Sequence, residues 1–310
     1  MTTTPLTQPL TSARAIPVVR RLDLEFDASQ VPRDWYANDA HLSAFWNGLS
    51  LLFPEGERFF VDSVRRYGSR IGDPELRKAV NAFIGQEAMH GAEHRAFNAM
   101  LRAQGDELVV RLEKELRVLL WCGRNLLLPK AQLAVTCALE HYTAILAEQL
   151  LELPEHQAAI HPSMRSLWLW HALEESEHKT VAYDVYQQVS GSYALRIAIM
   201  GLTTVFFVGE IVNVFVRLLR ARGLLFDRRG WRSTIRYLAG KGGLFRRVIP
   251  AYLDYFRPGF HPAHRDTTSL VTRWSGYFAG SDRNAARGHG IEAPRSPSPG
   301  FFEAALHPAT

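Results

Sequence analysis

The fold is decided by two short stretches, Glu87-Ala88-Met89-His90 and Glu175-Ser176-Glu177-His178. Each has the form Glu-x-x-His and lies in a segment with helical periodicity, so its carboxylate and imidazole share one helical face. A further Glu precedes each stretch by thirty to thirty-five residues, Glu57 before the first and Glu140 before the second. That spacing corresponds to one helix, a turn and part of the next helix. The chain therefore repeats one helix-pair plan twice.

This plan matches the ligand set of di-iron and di-manganese four-helix bundles, in which two helices each supply one Glu and two each supply Glu-x-x-His. Carboxylates and imidazoles together suit iron or manganese. With twelve His in the chain, one Glu-x-x-His is expected by composition alone, so the order and spacing carry the prediction. Glu140 strengthens it because its neighbours Ala138, Leu139, Tyr142 and Ile145 are apolar or aromatic. A metal would offset the cost of burying a charge there.

Further candidate ligands lie on the same predicted helices. His171 falls within about 60° of both Glu175 and His178 at the helical rotation of about 100° per residue, so we include it as a ligand. His94 returns to the face of Glu87, seven residues after it. We expect His94 beside the ligands rather than among them.

Two acids must be placed relative to these motifs. Glu174 precedes Glu175 and points to a neighbouring face. There it is either an ordinary surface acid or the acceptor of the outer N–H of a ligand histidine such as His90, which would fix the tautomer. Near the first helix, Glu55 competes with Glu57 as the ligand, and we choose Glu57. Acids are in any case favoured at a helix start.

Helical periodicity runs from Asp39 to Gly191 with no strand-rich block, so we predict an all-α chain. Pro54 is expected to end one helix, which restarts at Glu57, and one helix is expected from Pro162 to Val189. We divide the chain into a disordered N-terminus (1–15), a single helical metal-binding domain (16–279) and a disordered tail (280–310). Within the domain, the bundle core covers about 40–191, and an apolar and basic helical extension covers 192–279.

Residues 197–216 are almost wholly apolar, with Glu210 and Asn213 as the polar exceptions. Twenty such residues are long enough to span a bilayer, although the charge of Glu210 argues against a lipid-exposed span. A buried helix, an interfacial helix and a true span are all open interpretations. Five arginines follow, at positions 217, 220, 222, 228 and 229. They favour a cytoplasmic flank, and we expect peripheral membrane contact through 197–229.

Composition narrows the partners and the compartment. The net charge is +5, and the excess lies late in the chain, in 217–247. The chain lacks zinc-finger spacing, an RNP motif and a lysine tract, so we expect no nucleic-acid partner. Cys122 and Cys137 fit no thiolate metal motif and are expected to be reduced core residues. Residues 1–15 contain no apolar signal segment, so we expect a cytoplasmic protein, at the inner face of the membrane if membrane contact forms.

Several longer stretches resemble a bacterial family labelled "predicted metal-dependent hydrolase". The resemblance covers roughly residues 16–277, and the label implies a metal-dependent activity. The stretches that carry it are Phe53-Pro54-Glu55-Gly56-Glu57-Arg58-Phe59-Phe60, Phe83-Ile84-Gly85-Gln86-Glu87-Ala88-Met89-His90 with His94, Glu140-His141-Tyr142-Thr143, Trp170-His171-Ala172-Leu173-Glu174-Glu175-Ser176-Glu177-His178-Lys179 and Tyr255-Phe256-Arg257-Pro258-Gly259-Phe260-His261-Pro262.

The ligand plan is also similar to the ferritin-like di-iron superfamily, which implies a ferritin-like four-helix bundle with extra C-terminal helices. The pattern His171-x-x-x-Glu175-x-x-His178 is similar to p-aminobenzoate N-oxygenase, in which an extra histidine joins the usual ligands. Glu174 resembles the Asp of the Asp-Glu-x-x-His motif in di-iron monooxygenases. The resemblance implies bridging roles for Glu87 and Glu175 within this metal-ligand set: Glu57, Glu87, His90, Glu140, His171, Glu175 and His178.

We therefore expect a binuclear non-haem metalloenzyme that binds two metal ions, iron first and manganese or zinc as alternatives. The leading hypothesis is an O2-dependent oxidase or oxygenase acting on an apolar, lipid-like or small organic substrate. The alternative is a binuclear hydrolase that activates water, although the motifs His-Glu-x-x-His and Gly-x-Ser-x-Gly are absent. A third interpretation is a membrane-associated, non-catalytic metal-binding protein. A homodimer is left open.

Overall fold

Residues 16–285 are described by a computed structural model of the chain. Within this range there is no β-strand, only an isolated antiparallel bridge between Tyr36 and Ile160. The predicted all-α class is confirmed. The helices are α1 (Ala40–Arg65), α2 (Pro74–Ala103), α3 (Leu108–Leu126), α4 (Pro129–Glu152), α5 (Pro154–Ala159), α6 (Pro162–His178), α7 (Val181–Val189), α8 (Tyr193–Ala221), α9 (Arg228–Ala239), α10 (Leu244–Asp254) and α11 (Thr268–Ala285).

The structure tests only part of the prediction that both ends of the chain are disordered. The N-terminus for which we predicted disorder, 1–15, lies outside the described residues, and so does 286–310 of the predicted tail. Residues 280–285, which we placed in that tail, belong to α11 instead. The helical pattern of the domain therefore continues past its predicted end at residue 279.

Four long helices, α1, α2, α4 and α6, surround the interior that holds the candidate ligands. Helix α1 packs on α2 and α4 packs on α6, while contacts between α1 and α4 and between α2 and α6 close the group. Local sequence sets two of the starting points. Asp39 caps α1 by accepting the backbone N–H groups of His41 and Leu42, both at 2.9 Å. Asp73 caps α2, where Pro74 occupies the first helical position.

Helix α1 passes through Pro54 without a break, so the prediction that a helix ends there is wrong. A proline lacks the N–H that would reach the carbonyl four residues earlier, here that of Ser50. Asn98 on α2 supplies a substitute donor, with its Nδ2 3.4 Å from the Ser50 carbonyl oxygen. This bond from the neighbouring helix lets α1 continue into the turn that carries Glu57.

The helix predicted from Pro162 to Val189 is two helices in the structure. Helix α6 ends at His178 and α7 begins at Val181, with Lys179 in the turn between them. The ammonium of Lys179 donates to Thr267 Oγ1 at 2.8 Å and also to the carbonyl oxygen of Arg265. A contact with a distant loop therefore fixes the residue that directly follows the second Glu-x-x-His motif.

The remaining elements enclose this group of four helices. Helix α8 packs on α1, α3 and α4, α9 packs on α1, and α11 packs on α4 and α6. The non-helical segment 16–27 crosses α2 and α6, where the Val18 N–H donates to Glu177 at 3.3 Å and the Leu24 N–H donates to Glu93 at 3.2 Å. Cys122 and Cys137 are both free thiols.

Candidate metal centre

The four central helices direct the predicted ligands into one buried region. All seven side chains are buried, although each is a carboxylate or an imidazole. They come from every helix of the group: Glu57 from α1, Glu87 and His90 from α2, Glu140 from α4, and His171, Glu175 and His178 from α6. The structure therefore brings together the whole predicted set.

One half of the region is formed by Glu57, His90 and His171, whose potential ligand atoms all lie within 4.8 Å of one another. The Nε2 atom of His171 lies 3.9 Å from Glu57 Oε1. The rings of His90 and His171 stack with their centroids 4.1 Å apart and their planes at 13°. Three elements, α1, α2 and α6, thus each contribute one donor to this half.

The other half is formed by Glu87, Glu140 and His178, again with ligand atoms within 4.8 Å of one another. His178 Nε2 lies 3.1 Å from Glu87 Oε1 and 3.4 Å from Glu140 Oε2. Here α2, α4 and α6 each contribute one donor. The two halves have the same composition except that one carboxylate replaces one imidazole.

Two carboxylates lie between the halves. Glu175 directs Oε1 towards His171 Nε2 at 3.0 Å and His90 Nδ1 at 3.5 Å, and it directs Oε2 towards His178 Nε2 at 3.4 Å. Glu87 has Oε1 near His178 and Oε2 4.0 Å from His90 Nδ1. Each of these carboxylates therefore offers one oxygen to each half, as the predicted bridging role of Glu87 and Glu175 would require.

The electrostatics of the region fit bound cations. Burial, together with repulsion from the neighbouring carboxylates, raises the pKa of Glu57, Glu87 and Glu140 well above the ordinary value. Burial and the neighbouring imidazole of His171 lower the pKa of His90 well below its ordinary value. Burial alone would raise the pKa of Glu175, but the adjacent imidazoles lower it well below the usual range.

Many buried polar atoms of the region lack a hydrogen-bond partner among the described residues. They include both carboxylate oxygens of Glu57, Nδ1 of His90, and Nε2 of His178. A buried polar atom without a partner costs free energy, on the order of 1–3 kcal/mol each. Metal ions would supply the missing partners, so the residues present fit a metal site.

Glu174 occupies the position expected for a residue that orients a ligand. Its Oε2 lies 3.3 Å from His90 Nε2, on the ring edge opposite Glu175. Its Oε1 accepts the indole N–H of Trp170 at 2.9 Å and the backbone N–H of Arg20 at 3.2 Å. Burial raises the pKa of Glu174 to about 7. At this distance the Glu174 carboxylate favours a proton on Nε2 of His90, which would leave Nδ1 free to bind a metal.

His94 also lies behind the ligands, as expected. Its Nε2 lies 2.7 Å from His171 Nδ1 and its Nδ1 lies 2.8 Å from Ser50 Oγ. The hydroxyl of Ser50 donates to Asn98 Oδ1 at 2.8 Å. When each group donates to the next, His171 Nδ1 carries the proton and Nε2 faces the carboxylates without one. This chain therefore orients the additional histidine.

Glu55 does not belong to the site. Its Oε1 accepts a hydrogen bond from Arg117 Nε at 2.9 Å on α3. Glu57 lies two residues further along α1 and therefore points to the opposite side of the helix, into the interior. The structure thus places Glu57, and not Glu55, among the candidate ligands.

Comparison with known proteins identifies one family. A family model described as "Predicted metal-dependent hydrolase" matches residues 18–266. The chain belongs to this family. The match covers all four helices that carry the candidate ligands. No curated protein and no solved structure matches the chain. The family description indicates a metal-dependent protein.

The structure adds one orienting residue that the sequence analysis of this family member missed. Gln86 precedes Glu87 as Glu174 precedes Glu175, and its Oε1 accepts from His178 Nδ1 at 2.9 Å. Glu174 on α6 thus contacts the histidine of the α2 motif, while Gln86 on α2 contacts the histidine of the α6 motif. The sequence carried a signal for this role, because Gln86 and Glu174 each directly precede the Glu of a Glu-x-x-His motif. We had applied that signal only to Glu174.

An apolar cavity of about 340 Å³ reaches the centre from one side. At its inner end lie Glu57, His171 and Glu175, so it approaches the Glu57–His90–His171 half. Phe53 flanks this end, with its ring centroid 4.5 Å from that of His171. The volume lies within the range of small-molecule binding sites. The family member therefore combines a buried carboxylate and histidine cluster with an apolar approach.

Proposed function

We propose that the chain is a binuclear metalloenzyme that binds two metal ions, with iron as the physiological metal. The observation that carries this proposal is the position of Glu175, which offers one carboxylate oxygen to each of two separate ligand groups. Glu57, His90 and His171 would hold one ion, and Glu87, Glu140 and His178 would hold the other. Carboxylate and imidazole donors in these numbers suit iron or manganese better than a thiolate-seeking metal.

We propose O2-dependent oxidation of an apolar substrate as the reaction. Bound iron supplies redox chemistry that no side chain of the chain can supply. The protein contributes the apolar cavity, which excludes water, and fixed tautomers of His90 and His178 through Glu174 and Gln86. Insertion of one oxygen atom from O2 into a C–H bond also forms one water and consumes two further electrons and two protons. The proposal therefore includes an external reductant.

Hydrolysis is the second candidate, and the family description favours it. In that case the metals would lower the pKa of a bound water, and the buried carboxylates would accept its proton. The apolar lining of the cavity argues for a substrate with an apolar group next to the scissile bond. A hydrolase of this kind needs no reductant and no O2, which separates it from the oxidase.

Metal content and O2 consumption test the proposed function. The full chain is purified anaerobically, loaded with iron, and the metal per chain is measured before O2 uptake is followed with a chemical reductant present. We expect two irons per chain and an uptake that is lost in His178→Ala. Zinc or manganese retained in preference to iron with no O2 uptake, together with cleavage of a p-nitrophenyl decanoate ester, would overturn the oxidase in favour of the hydrolase. Stoichiometric metal in His178→Ala would overturn the site itself.

We also propose that the protein is cytoplasmic and makes peripheral contact with the inner face of the membrane. Helix α8 is long and apolar enough to cross a membrane by length and composition, with a mean hydropathy of 1.9, but part of it packs against the rest of the fold. Exposed Val205 and Val212 on α8 and the exposed Phe226 support contact through 197–229. A small-molecule substrate, the absence of a nucleic-acid partner and a homodimer remain predictions.

A further inference from the structure

We infer that the substrate carries one long, unbranched apolar chain with an uncharged polar end, bound in the cavity lined by α1, α3, α4, α6 and α8. This inference rests on the proposed function only for the question of which end of the ligand reacts. The binding site itself is defined by the cavity. The juxtaposition that carries it is an apolar passage that begins among exposed leucines and ends at three candidate metal ligands.

The walls of the cavity are apolar along its length. Leu116 on α3, Leu139 and Leu150 on α4, and Phe207 on α8 line it. Thr143 also lines it, but its hydroxyl donates to the Glu140 carbonyl oxygen at 3.1 Å and can only accept a hydrogen bond from a ligand. A ligand that fills this space therefore gains free energy from apolar burial and finds few polar partners on the way.

The size of the cavity limits the number of carbon atoms that the ligand can place in it. At about 30 Å³ for each water-sized group, the volume of about 340 Å³ holds on the order of ten carbon atoms. Helices α1, α3, α4, α6 and α8 all contribute to the lining, so the space extends from the surface to the centre. A linear chain of this length would reach the Glu57–His171 end with its terminal carbons.

The outer end of the cavity opens between α3 and α8. Leu119 and Leu126 on α3, and Leu202 and Phe206 on α8, line the cavity and are also exposed to solvent. Leu126 has 79% of its surface exposed although it is a leucine. Side chains that are both cavity lining and surface mark a mouth through which an apolar ligand enters without crossing a polar barrier.

Charge at the two ends determines the polar group of the ligand. Glu210, half-buried on α8, lines the mouth and accepts a hydrogen bond from Asn213 Nδ2 at 3.2 Å. Glu57 and Glu175 lie at the inner end. Bound metal ions would neutralise these inner carboxylates, so the Glu210 carboxylate at the mouth is the one that an anionic end group would meet. The geometry therefore favours an uncharged polar group at the mouth, such as a hydroxyl or a carbonyl.

The experiment measures ligand binding without turnover. The full chain is loaded with zinc, which carries out no redox chemistry, and titrated by calorimetry with 1-hexanol, 1-octanol, 1-decanol and 1-adamantanol. Affinity should rise about fourfold for each added methylene group that the cavity buries. The compact ten-carbon 1-adamantanol should bind at least tenfold more weakly than the linear 1-decanol.

Three variants separate the cavity from general surface hydrophobicity. Ala147→Phe fills the cavity from α4 and should abolish 1-decanol binding. Leu126→Gln changes the exposed mouth, where folding is not at risk, and should weaken binding on the order of tenfold. The matched control Leu128→Gln changes a leucine that is 77% exposed but does not line the cavity, and it should leave the affinity unchanged.

The outcomes are distinguishable from those of the proposed function because metal content is measured in the same samples. Equal affinities for 1-decanol and 1-adamantanol, or unchanged 1-decanol binding in a folded Ala147→Phe variant, would overturn the inference. Equal weakening by Leu126→Gln and Leu128→Gln would do the same. A chain that binds 1-decanol as expected but holds fewer than two metals would overturn the binuclear centre and leave the inference standing.

Discussion

Glu57 and Glu55 lie two residues apart on α1 and have opposite surroundings. Glu57 is 1% exposed and faces His171, whereas Glu55 pairs with Arg117 on α3. The pKa of Glu57 is raised well above its ordinary value by burial and by the carboxylates nearby. Without a cation, burial therefore favours the protonated form of Glu57, and metal binding competes with that proton.

Replacing Glu57 should remove one metal and not both. Glu57 belongs to the Glu57–His90–His171 half, so Glu57→Gln should lower the iron content from two to about one per chain and leave the other half filled. The matched variant Glu55→Gln loses one ion pair with the exposed Arg117 and should retain both irons, with a change in unfolding free energy of about 1 kcal/mol. Metal analysis and urea unfolding measure the two effects. Loss of metal in Glu55→Gln, with metal retained in Glu57→Gln, would reverse the assignment.

The repeated motif made most of the candidate centre predictable. Glu87, His90, Glu175 and His178 follow from a three-residue spacing on a helix, which fixes a shared face without knowledge of the fold. Gln86 was missed because a glutamine carries no charge and has no metal preference of its own. Its role arises only when α2 and α6 lie side by side.

At the level of helices, interruptions were harder to predict than helices themselves. Pro54 is a strong local signal for a helix end, yet the side chain of Asn98 on another helix supplies a donor to the freed carbonyl of Ser50. No local signal marks the turn at Lys179, because Arg265 and Thr267, which bind its ammonium, lie far along the chain. Both errors have the same physical origin, a tertiary contact that overrides local preference.

The packing of α9 on α1 gives a prediction about a single methyl group. A Cβ atom added at Gly230 would lie 2.1 Å from Cδ2 of the buried His41 ring. Gly230→Ala should therefore force α9 away from α1 and destabilise the fold by about 1–3 kcal/mol. Gly209 on α8 is the matched control, because no atom lies within 4 Å of its added Cβ.

Gly209→Ala should be neutral or stabilising by about 0.5–1 kcal/mol, since alanine is the better helix former. Urea unfolding of the two variants beside the wild type measures both changes. Equal stabilities for Gly230→Ala and the wild type would contradict the close contact between α9 and His41.

At the scale of the whole molecule, one late segment of the chain combines positive charge with an exposed aromatic side chain. Residues 217–247 contain ten arginines and lysines and one acid, Asp227. Phe226, next to that acid, is 90% exposed. Arg228 and Arg229 follow it and are also exposed. An aromatic side chain beside a basic pair matches the chemistry of an anionic membrane surface, where the ring enters the interface and the guanidinium groups meet lipid phosphates.

Vesicle binding tests this arrangement with the full chain. Co-sedimentation should occur with vesicles of phosphatidylcholine and phosphatidylglycerol, weaken with added salt, and be much lower with phosphatidylcholine alone. Arg228→Gln/Arg229→Gln should reduce binding on the order of tenfold or more, at about fivefold per arginine. The matched pair Arg65→Gln/Arg66→Gln removes the same charge at the other end of α1, roughly 35 Å from the end on which α9 packs, and should have little effect.

Phe226→Ser separates apolar insertion from charge. This variant keeps every arginine and should still lower vesicle binding on the order of tenfold, because a buried phenylalanine side chain contributes about 1.5–3 kcal/mol. Equal losses in the two arginine pairs would mean that net charge alone governs binding and that no oriented surface exists.

Fractionation without detergent tests whether α8 spans a membrane, since a chain that stays wholly in the soluble fraction does not span a bilayer. Peripheral contact predicts that the chain moves between fractions with salt, because the attraction acts through phosphates and guanidinium groups at the surface.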